Sequence, residues 1–289
     1  MPDSRTIKDI LKERNLAPSK KLGQNFLIHK HTPALIVERA GIGSEETVVE
    51  LGVGLGSLTI PLAARVKKVI GLELDSGIIK WHREGGNLPQ NVELLHQDLL
   101  KADFVELANR CAGKLKIMAN LPYSISNPLL FKLIDNQPVV GWATLMLQKE
   151  VAQRLTAAVG SKEYGILSVL LGACASVETL LTVGPEQFHP RPKVDSQVVK
   201  IVFDPVPARV QALPAHDSTL LRKLVKGAFQ QRRKTLLNSL SATALSDCGK
   251  SMVADILVRA GIDPKIRAER LRVEDFVRLA NTVSEHSIV

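Results

Sequence analysis

The run TVVELGVGLGSLTIPLAARV, Thr47–Val66, decides how the rest of this chain is read. TVVEL (47–51) is a short β-branched apolar segment, and it stops at three glycines, Gly52, Gly54 and Gly56. SLTIPLAARV after them has the composition of a helix. A strand, a glycine turn and a helix in that order form the opening unit of a doubly wound α/β sheet. Glycine at such a turn permits positive φ and lets a ligand touch the backbone.

The dinucleotide fingerprint GxGxxG requires Gly or Ala at 57, and this chain has Ser57. Glu50, directly before the first glycine, suits a ligand that carries positive charge better than one that carries a pyrophosphate.

Outward from this unit the pattern repeats. VKKVIGLEL (66–74), NVELLHQD (91–98), KIMAN (116–120) and WATLMLQ (142–148) read as further strands, each separated from the next by enough residues for a helix. They are continuous apolar runs, as expected when helices cover both faces of a parallel sheet. YGILSVLLGACA (164–175) reads as a helix. VETLLTV (177–183) and SQVVKIVF (196–203) read as two last strands, an antiparallel hairpin with a long connection at the sheet edge.

Pro205, Pro207 and Pro214 mark a linker, and segments 220–240, 251–261 and 273–283 show helical periodicity. The expected organisation is an α/β domain over 1–207, which includes an N-terminal basic helix and loop over 1–40, and a small all-helical domain over 208–289.

Composition narrows the class. With 45% apolar residues over 289 positions the chain has ample material for a core. The longest uncharged stretches, Leu51–Ala64 and Tyr164–Val177, are shorter than the roughly 20 residues of a membrane-spanning helix. The opening residues carry acids among bases and no apolar run, so no secretory signal is expected. Three scattered cysteines and seven histidines offer no disulfide framework or metal-ligand spacing. A cytoplasmic, reduced, metal-free protein follows as the expectation.

The net charge of +9 is uneven: +4 over residues 1–40, −1 over 41–208 and +6 over 209–289. Basic ends around a neutral middle suit a polyanionic partner.

The chemistry is concentrated at the ends of the expected strands. Glu73 closes the second strand, where an acid in this fold accepts hydrogen bonds from ribose hydroxyls, and Asp98 closes the third, where it can accept from an adenine amine. The fourth strand ends in NLPY, Asn120-Leu121-Pro122-Tyr123. The Asn120 side-chain oxygen and the Leu121 carbonyl can accept both hydrogens of an exocyclic amine. Pro122 stiffens the turn without adding a competing N–H, and Tyr123 can stack on the base. Drawing both hydrogens towards acceptors makes the nitrogen more tetrahedral and aims its lone pair at a methyl donor.

GxGxG followed by Glu73, Asp98 and NLPY resembles the S-adenosylmethionine-dependent adenine-N6 methyltransferases. KKLGQNFL (20–27) and FHPRPKVDS (188–196) narrow the resemblance to the ribosomal RNA adenine dimethyltransferases, and QRRKTLLNSL (231–240) resembles the start of that family's C-terminal domain.

The resemblance implies S-adenosyl-L-methionine as cofactor. It implies Gln24, Asn25 and Leu27 on the methionine side, Gly52 and Gly54 at the backbone turn, Glu73 at the ribose and Asp98 with Leu99 at the cofactor's adenine. Asn120 stands between cofactor and target amine, and Tyr123 and Phe188 sandwich the target base, with Pro190 and Pro192 stiffening the second ring's loop. Asp195 is expected to be structural or RNA-contacting.

The implied substrate is a pair of adjacent adenosines near the 3′ end of small-subunit ribosomal RNA, within an assembling subunit, bound by a monomer. Arg222, Lys223, Lys226, Arg232, Arg233 and Lys234 are expected to contact RNA phosphates from one basic helix. The alternatives are the large-subunit, macrolide-resistance branch and a non-catalytic assembly factor on the same fold. A nicotinamide oxidoreductase fits poorly because of Ser57 and NLPY.

Overall fold

The computed structural model describes residues 25–286. Gln24 and the expected N-terminal helix lie outside the described residues. Seven strands form one sheet: β1 (Thr47–Leu51), β2 (Lys68–Glu73), β3 (Val92–His96), β4 (Leu115–Asn120), β5 (Val140–Gln148), β6 (Ser176–Val183) and β7 (Ser196–Val202). Their spatial order is β3-β2-β1-β4-β5-β7-β6. The pairs β1–β2, β1–β4, β2–β3 and β4–β5 are parallel, and β7 runs antiparallel to β5. This is the doubly wound, mostly parallel architecture expected from the sequence.

Successive residues of β1, β2 and β5 are buried with hardly a break, which happens only when both faces of a sheet are covered. The edge strand β6 is exposed or half-buried along its length until Val183 instead. The chain order reverses at β1 and β4, so the carboxyl ends of those strands open the crevice in which this fold binds ligands.

The last two strands are neighbours, as the hairpin reading requires, but β7 is inserted between β5 and β6. Their long connection carries a two-residue strand, Phe188–His189, antiparallel to Phe26–Leu27. This pairing draws the segment before β1 to the loop after β6.

The contacts divide the chain into two compact units, one of residues 25–152 with 177–204, the other of 153–176 with 205–286. The linker prolines mark the second boundary closely. A linear division at residue 207 misses the excursion 153–176. Its helix, Ile166–Cys174, buries seven of nine residues. It packs against the helices Ser218–Gln230 and Val273–Glu285, not in the α/β unit. A helix this apolar on all sides needs partners around it, and the second unit's helices provide them.

Within that second unit Tyr164, Phe229 and Phe276 form a line of rings with centroids 6.1 and 5.9 Å apart, and Tyr164 Oη donates to the Leu271 carbonyl at 2.9 Å.

Candidate active site

The three glycines after β1 have φ of +85°, +53° and +80° at Gly52, Gly54 and Gly56, the left-handed region that side chains disfavour. A Cβ at Gly54 would also stand 3.2 Å from the Phe26 ring. The turn therefore needs glycine for its backbone and for its neighbour.

Glu73 holds this turn. Its Oε2 accepts from the Gly54 N–H at 2.8 Å, and its Oε1 accepts from Leu74 and Asp75 N–H, both at 2.8 Å. From the other side His82 Nε2 donates to the Gly54 carbonyl at 2.8 Å. Gly54 is thus gripped at both of its backbone polar atoms, which belong to the two successive peptide units that flank its Cα. His82 is buried, and that burial lowers its pKa against the opposing carbonyl contact, so the ring is kept neutral. Ser57, which broke the dinucleotide fingerprint, donates from Oγ to the Leu27 carbonyl at 3.1 Å and ties the helix start to the segment before β1. Asp75 caps the helix Ser76–Gly85, a local duty that sets it apart from Glu73.

Asn25, Leu27, Gly52, Gly54, Glu73, Asp98, Leu99, Asn120 and Pro122 all line one cavity at the carboxyl ends of the strands. The structure thus gathers every expected cofactor residue that it describes. Asp98 Oδ1 accepts from the Leu100 N–H at 2.9 Å, which shapes the turn after β3. Asn120, the last residue of β4, donates from Nδ2 to the Asn25 carbonyl at 3.3 Å. That bond orients the side-chain amide.

The aromatic pair is placed differently. Neither Tyr123 nor Phe188 lines the cavity. Tyr123 is half-buried with its hydroxyl 3.0 Å from Ser196 Oγ, and Phe188 is 4% exposed within the hydrophobic core, opposite Leu27 in the short strand pair. Leu121 is buried. Asp195 accepts from Lys149 Nζ at 3.0 Å, and its carbonyl accepts the Lys149 N–H, so it anchors the loop to the end of β5.

Sequence reasoning missed His82 and the cavity-lining Phe26, Ser124 and Ile125. A lone histidine on an amphipathic helix carries no signal of its own.

The electrostatics are one-sided. Among the described residues the cavity is lined by three acids, Glu50, Glu73 and Asp98, and by no lysine or arginine. Glu50 is 1% exposed and neither of its oxygens forms a well-aligned hydrogen bond, nor does the Thr59 hydroxyl beside it. Burial pushes Glu50 up to about 8; a weak interaction with Thr59 opposes the shift and the Glu73 charge adds to it. A buried carboxyl without a donor is costly and calls for a cation, in line with the sequence reading of Glu50.

The basic residues of the second unit are split by the structure. The expected helix 220–240 is two helices, Ser218–Gln230 and Leu236–Ser241, the second capped by Thr235. Arg222, Lys223 and Lys226 lie on the first; Arg232, Arg233 and Lys234 lie in the connecting turn. Arg232 is engaged internally, donating to the carbonyls of Lys162 at 3.0 Å and Tyr164 at 3.3 Å and lying 3.8 Å from Glu269. Lys223, Lys226, Arg232, Arg233 and Lys234 are all exposed, Arg232 with its donors engaged as above.

The profile of the family described as Ribosomal RNA adenine dimethylase matches residues 15–285. The chain belongs to the ribosomal RNA adenine dimethylase family. A relative from Desulfotalea psychrophila named Ribosomal RNA small subunit methyltransferase A is 48% identical over 282 residues, covering 95% of this chain and 94% of that one. A relative of the same name from Syntrophus aciditrophicus is 40% identical, covering 96% and 98%. Among solved structures, a dimethyladenosine transferase from Plasmodium falciparum superposes with a TM-score of 0.73 at 28% identity, covering 91% of this chain and 98% of that one. The 23S rRNA methyltransferase ErmE shares the fold at a TM-score of 0.64 and 24% identity, with 90% of this chain and 99% of that one covered. As a member of this family the chain is an rRNA methyltransferase. No helix among the described residues is long and apolar enough to cross a membrane.

Proposed function

We propose that this protein transfers methyl groups from S-adenosyl-L-methionine to the N6 amines of two adjacent adenosines near the 3′ end of small-subunit (16S) ribosomal RNA, during assembly of that subunit. The observation that carries the reading is Asn120. It ends β4 at the lip of a cavity whose floor is the glycine turn, with its amide oriented by the Asn25 carbonyl. The small-subunit assignment is supported by the names of the relatives, which match along almost all of their length. The large-subunit reading has only a shared fold behind it.

The residues present fit the cofactor. The glycine turn gives backbone access, Glu73 and Asp98 supply acceptors at neighbouring strand ends, and the acid-only lining suits a cation. Gly52, Gly54, Asn25 and Leu27 would hold its methionine side, Glu73 the ribose, and Asp98 with Leu99 the adenine. When bound, S-adenosylmethionine supplies an electrophilic methyl group on a sulfonium.

The chain's own part is orientation and exclusion of water. With Nδ2 engaged by the Asn25 carbonyl, Asn120 presents its amide oxygen as the acceptor pole for one N6 hydrogen, and the Leu121 carbonyl accepts the other. The target nitrogen then offers its lone pair to the methyl group, and its proton leaves to water after transfer. Tyr123 and Phe188 would stack on the base. Because Phe188 is buried, that stacking requires the loop after β6 to shift when RNA binds. Lys223, Arg233 and Lys234 are exposed candidates for phosphate contacts.

The test is to incubate the protein with labelled S-adenosylmethionine and either small-subunit particles or naked large-subunit RNA, then map the modified bases. Two adjacent dimethyladenosines in small-subunit RNA are expected. Label on large-subunit RNA alone would overturn the substrate assignment.

A further inference from the structure

We propose that Glu50 is a proton-exchanging subsite for a ligand ammonium group, which binds as a neutral carboxylic acid gives its proton to solvent. The inference rests on the reading of the cavity as the S-adenosylmethionine site, and goes beyond it in assigning the cation's partner and the proton that leaves.

Geometry separates the two carboxyls of the cavity floor. Glu73 accepts three backbone N–H groups across both oxygens, an environment made for a carboxylate. Glu50 is among the residues around the cavity, is 1% exposed, and receives no well-aligned donor at either oxygen. Two negative charges sharing a buried site repel, and the one without donors is the one that takes up a proton.

The surrounding groups offer no other solution. Glu73 faces it from β2, and Asp98 lies in the turn after β3. His82 from the helix Ser76–Gly85 is held neutral against the Gly54 carbonyl. From β4 the neighbour is the amide Asn120, and from the helix Thr59–Ala63 the hydroxyl of Thr59, neither of which titrates. No lysine or arginine among the described residues lines the cavity.

The sign follows. A carboxyl raised to about 8 is neutral in the free protein at pH 6–7. A ligand ammonium beside it favours the charged form, so the O–H bond breaks, the proton leaves to buffer, and the ammonium keeps its own. Ligand affinity therefore rises with pH until Glu50 ionises without help.

The experiment is calorimetric titration of the full chain at pH 6.5 in buffers of different ionisation enthalpy. Two ligands separate the ammonium from the nucleoside. S-adenosylhomocysteine carries the ammonium on an uncharged thioether, and 5′-methylthioadenosine has the same nucleoside and sulfur without it. Close to one proton released per S-adenosylhomocysteine is expected, and none for 5′-methylthioadenosine. S-adenosylhomocysteine affinity should rise about tenfold per pH unit between pH 6 and 7.

Buffer-independent heats for S-adenosylhomocysteine would overturn the proposal, as would equal release with both ligands. Glu50→Gln should bind S-adenosylhomocysteine more weakly, without proton release and with affinity flat in pH. Undiminished release by that variant would place the proton elsewhere. The two-ligand comparison on the unaltered protein stands even where the variant fails to fold. Failure of both ligands to bind would sink the cofactor reading along with this one, whereas binding without proton release sinks only the assignment of Glu50.

Discussion

The cavity wall built at the ends of β1, β2 and β3, and the wall at the NLPY turn backed by the loop after β6, which does not itself line the cavity, are held in different ways. In the first, backbone groups are tied by side chains that are themselves buried: Glu73 holds the Gly54 N–H and His82 the Gly54 carbonyl. In the second, separate pairs hold separate points, Asn120 on the Asn25 carbonyl, Tyr123 on Ser196, and Asp195 on Lys149 through side chain and backbone. Phe188 is held there by packing in place of a polar partner. The difference follows the tasks proposed for each wall. A small ligand of constant shape rewards a preorganised turn, whereas a base drawn from a folded RNA must be admitted by parts that can yield.

Five variants, one of them a triple substitution, would break or sharpen that contrast. Asn120→Ala should lower single-turnover methyl transfer by at least about 100-fold, since it removes an interaction made to the reacting amine. Calorimetric affinity for S-adenosylhomocysteine should stay within about tenfold. Transfer near the wild-type rate would remove Asn120 from the reaction.

Glu73→Ala attacks the rigid wall, leaving the N–H groups of Gly54, Leu74 and Asp75 without their acceptor. Each unsatisfied buried donor costs about 1–3 kcal/mol, so thermal unfolding should drop by several degrees and ligand affinity by at least tenfold. An unchanged melting temperature would show that the turn holds itself.

Phe188→Leu tests the yielding wall. A volume-tolerant core swap costs under about 1.5 kcal/mol, while loss of base stacking, about 1–3 kcal/mol, should reduce transfer roughly tenfold at constant cofactor affinity. If activity falls only in proportion to stability, Phe188 is a core residue and nothing more.

The smallest effect is expected in the second unit. Changing Lys223, Arg233 and Lys234 together to Gln should lower the salt dependence of RNA binding by roughly two phosphate contacts, at about 0.7–0.9 per contact. Arg232→Gln, by contrast, should cost about 1 kcal/mol of stability with little change in salt slope, because its donors serve Lys162 and Tyr164. Equal salt effects from the two variants would erase the distinction.

Much of this was legible in the residues. TVVEL coincides with β1, and the other central strands fall within two residues of their apolar runs, because a strand covered on both faces must be apolar throughout. The positive φ values were foreseeable from glycines between a strand and a helix.

What was not legible depends on distance or on local competition. Phe26–Leu27 and Phe188–His189 form strands only through each other, and two residues carry no period. The break at Gln231–Thr235 contains no Gly or Pro; it is set by Thr235 capping a new helix. His82 acts on a carbonyl 28 positions away. Phe188 was read as a stacking platform from its motif, while its surroundings in the free protein are those of a core ring.

The excursion of residues 153–176 has a consequence for biosynthesis. The apolar helix Ile166–Cys174 leaves the ribosome well before Ser218–Gln230 and Val273–Glu285, against which it packs. At 5–20 residues per second it waits several seconds for the nearer of them, while the α/β unit gains β6 and β7 from the intervening residues. Chains that stop near residue 204 carry that helix with no partner to cover it. Such fragments should collect in the insoluble fraction or on chaperones, which makes late release from chaperones a signature of this chain order.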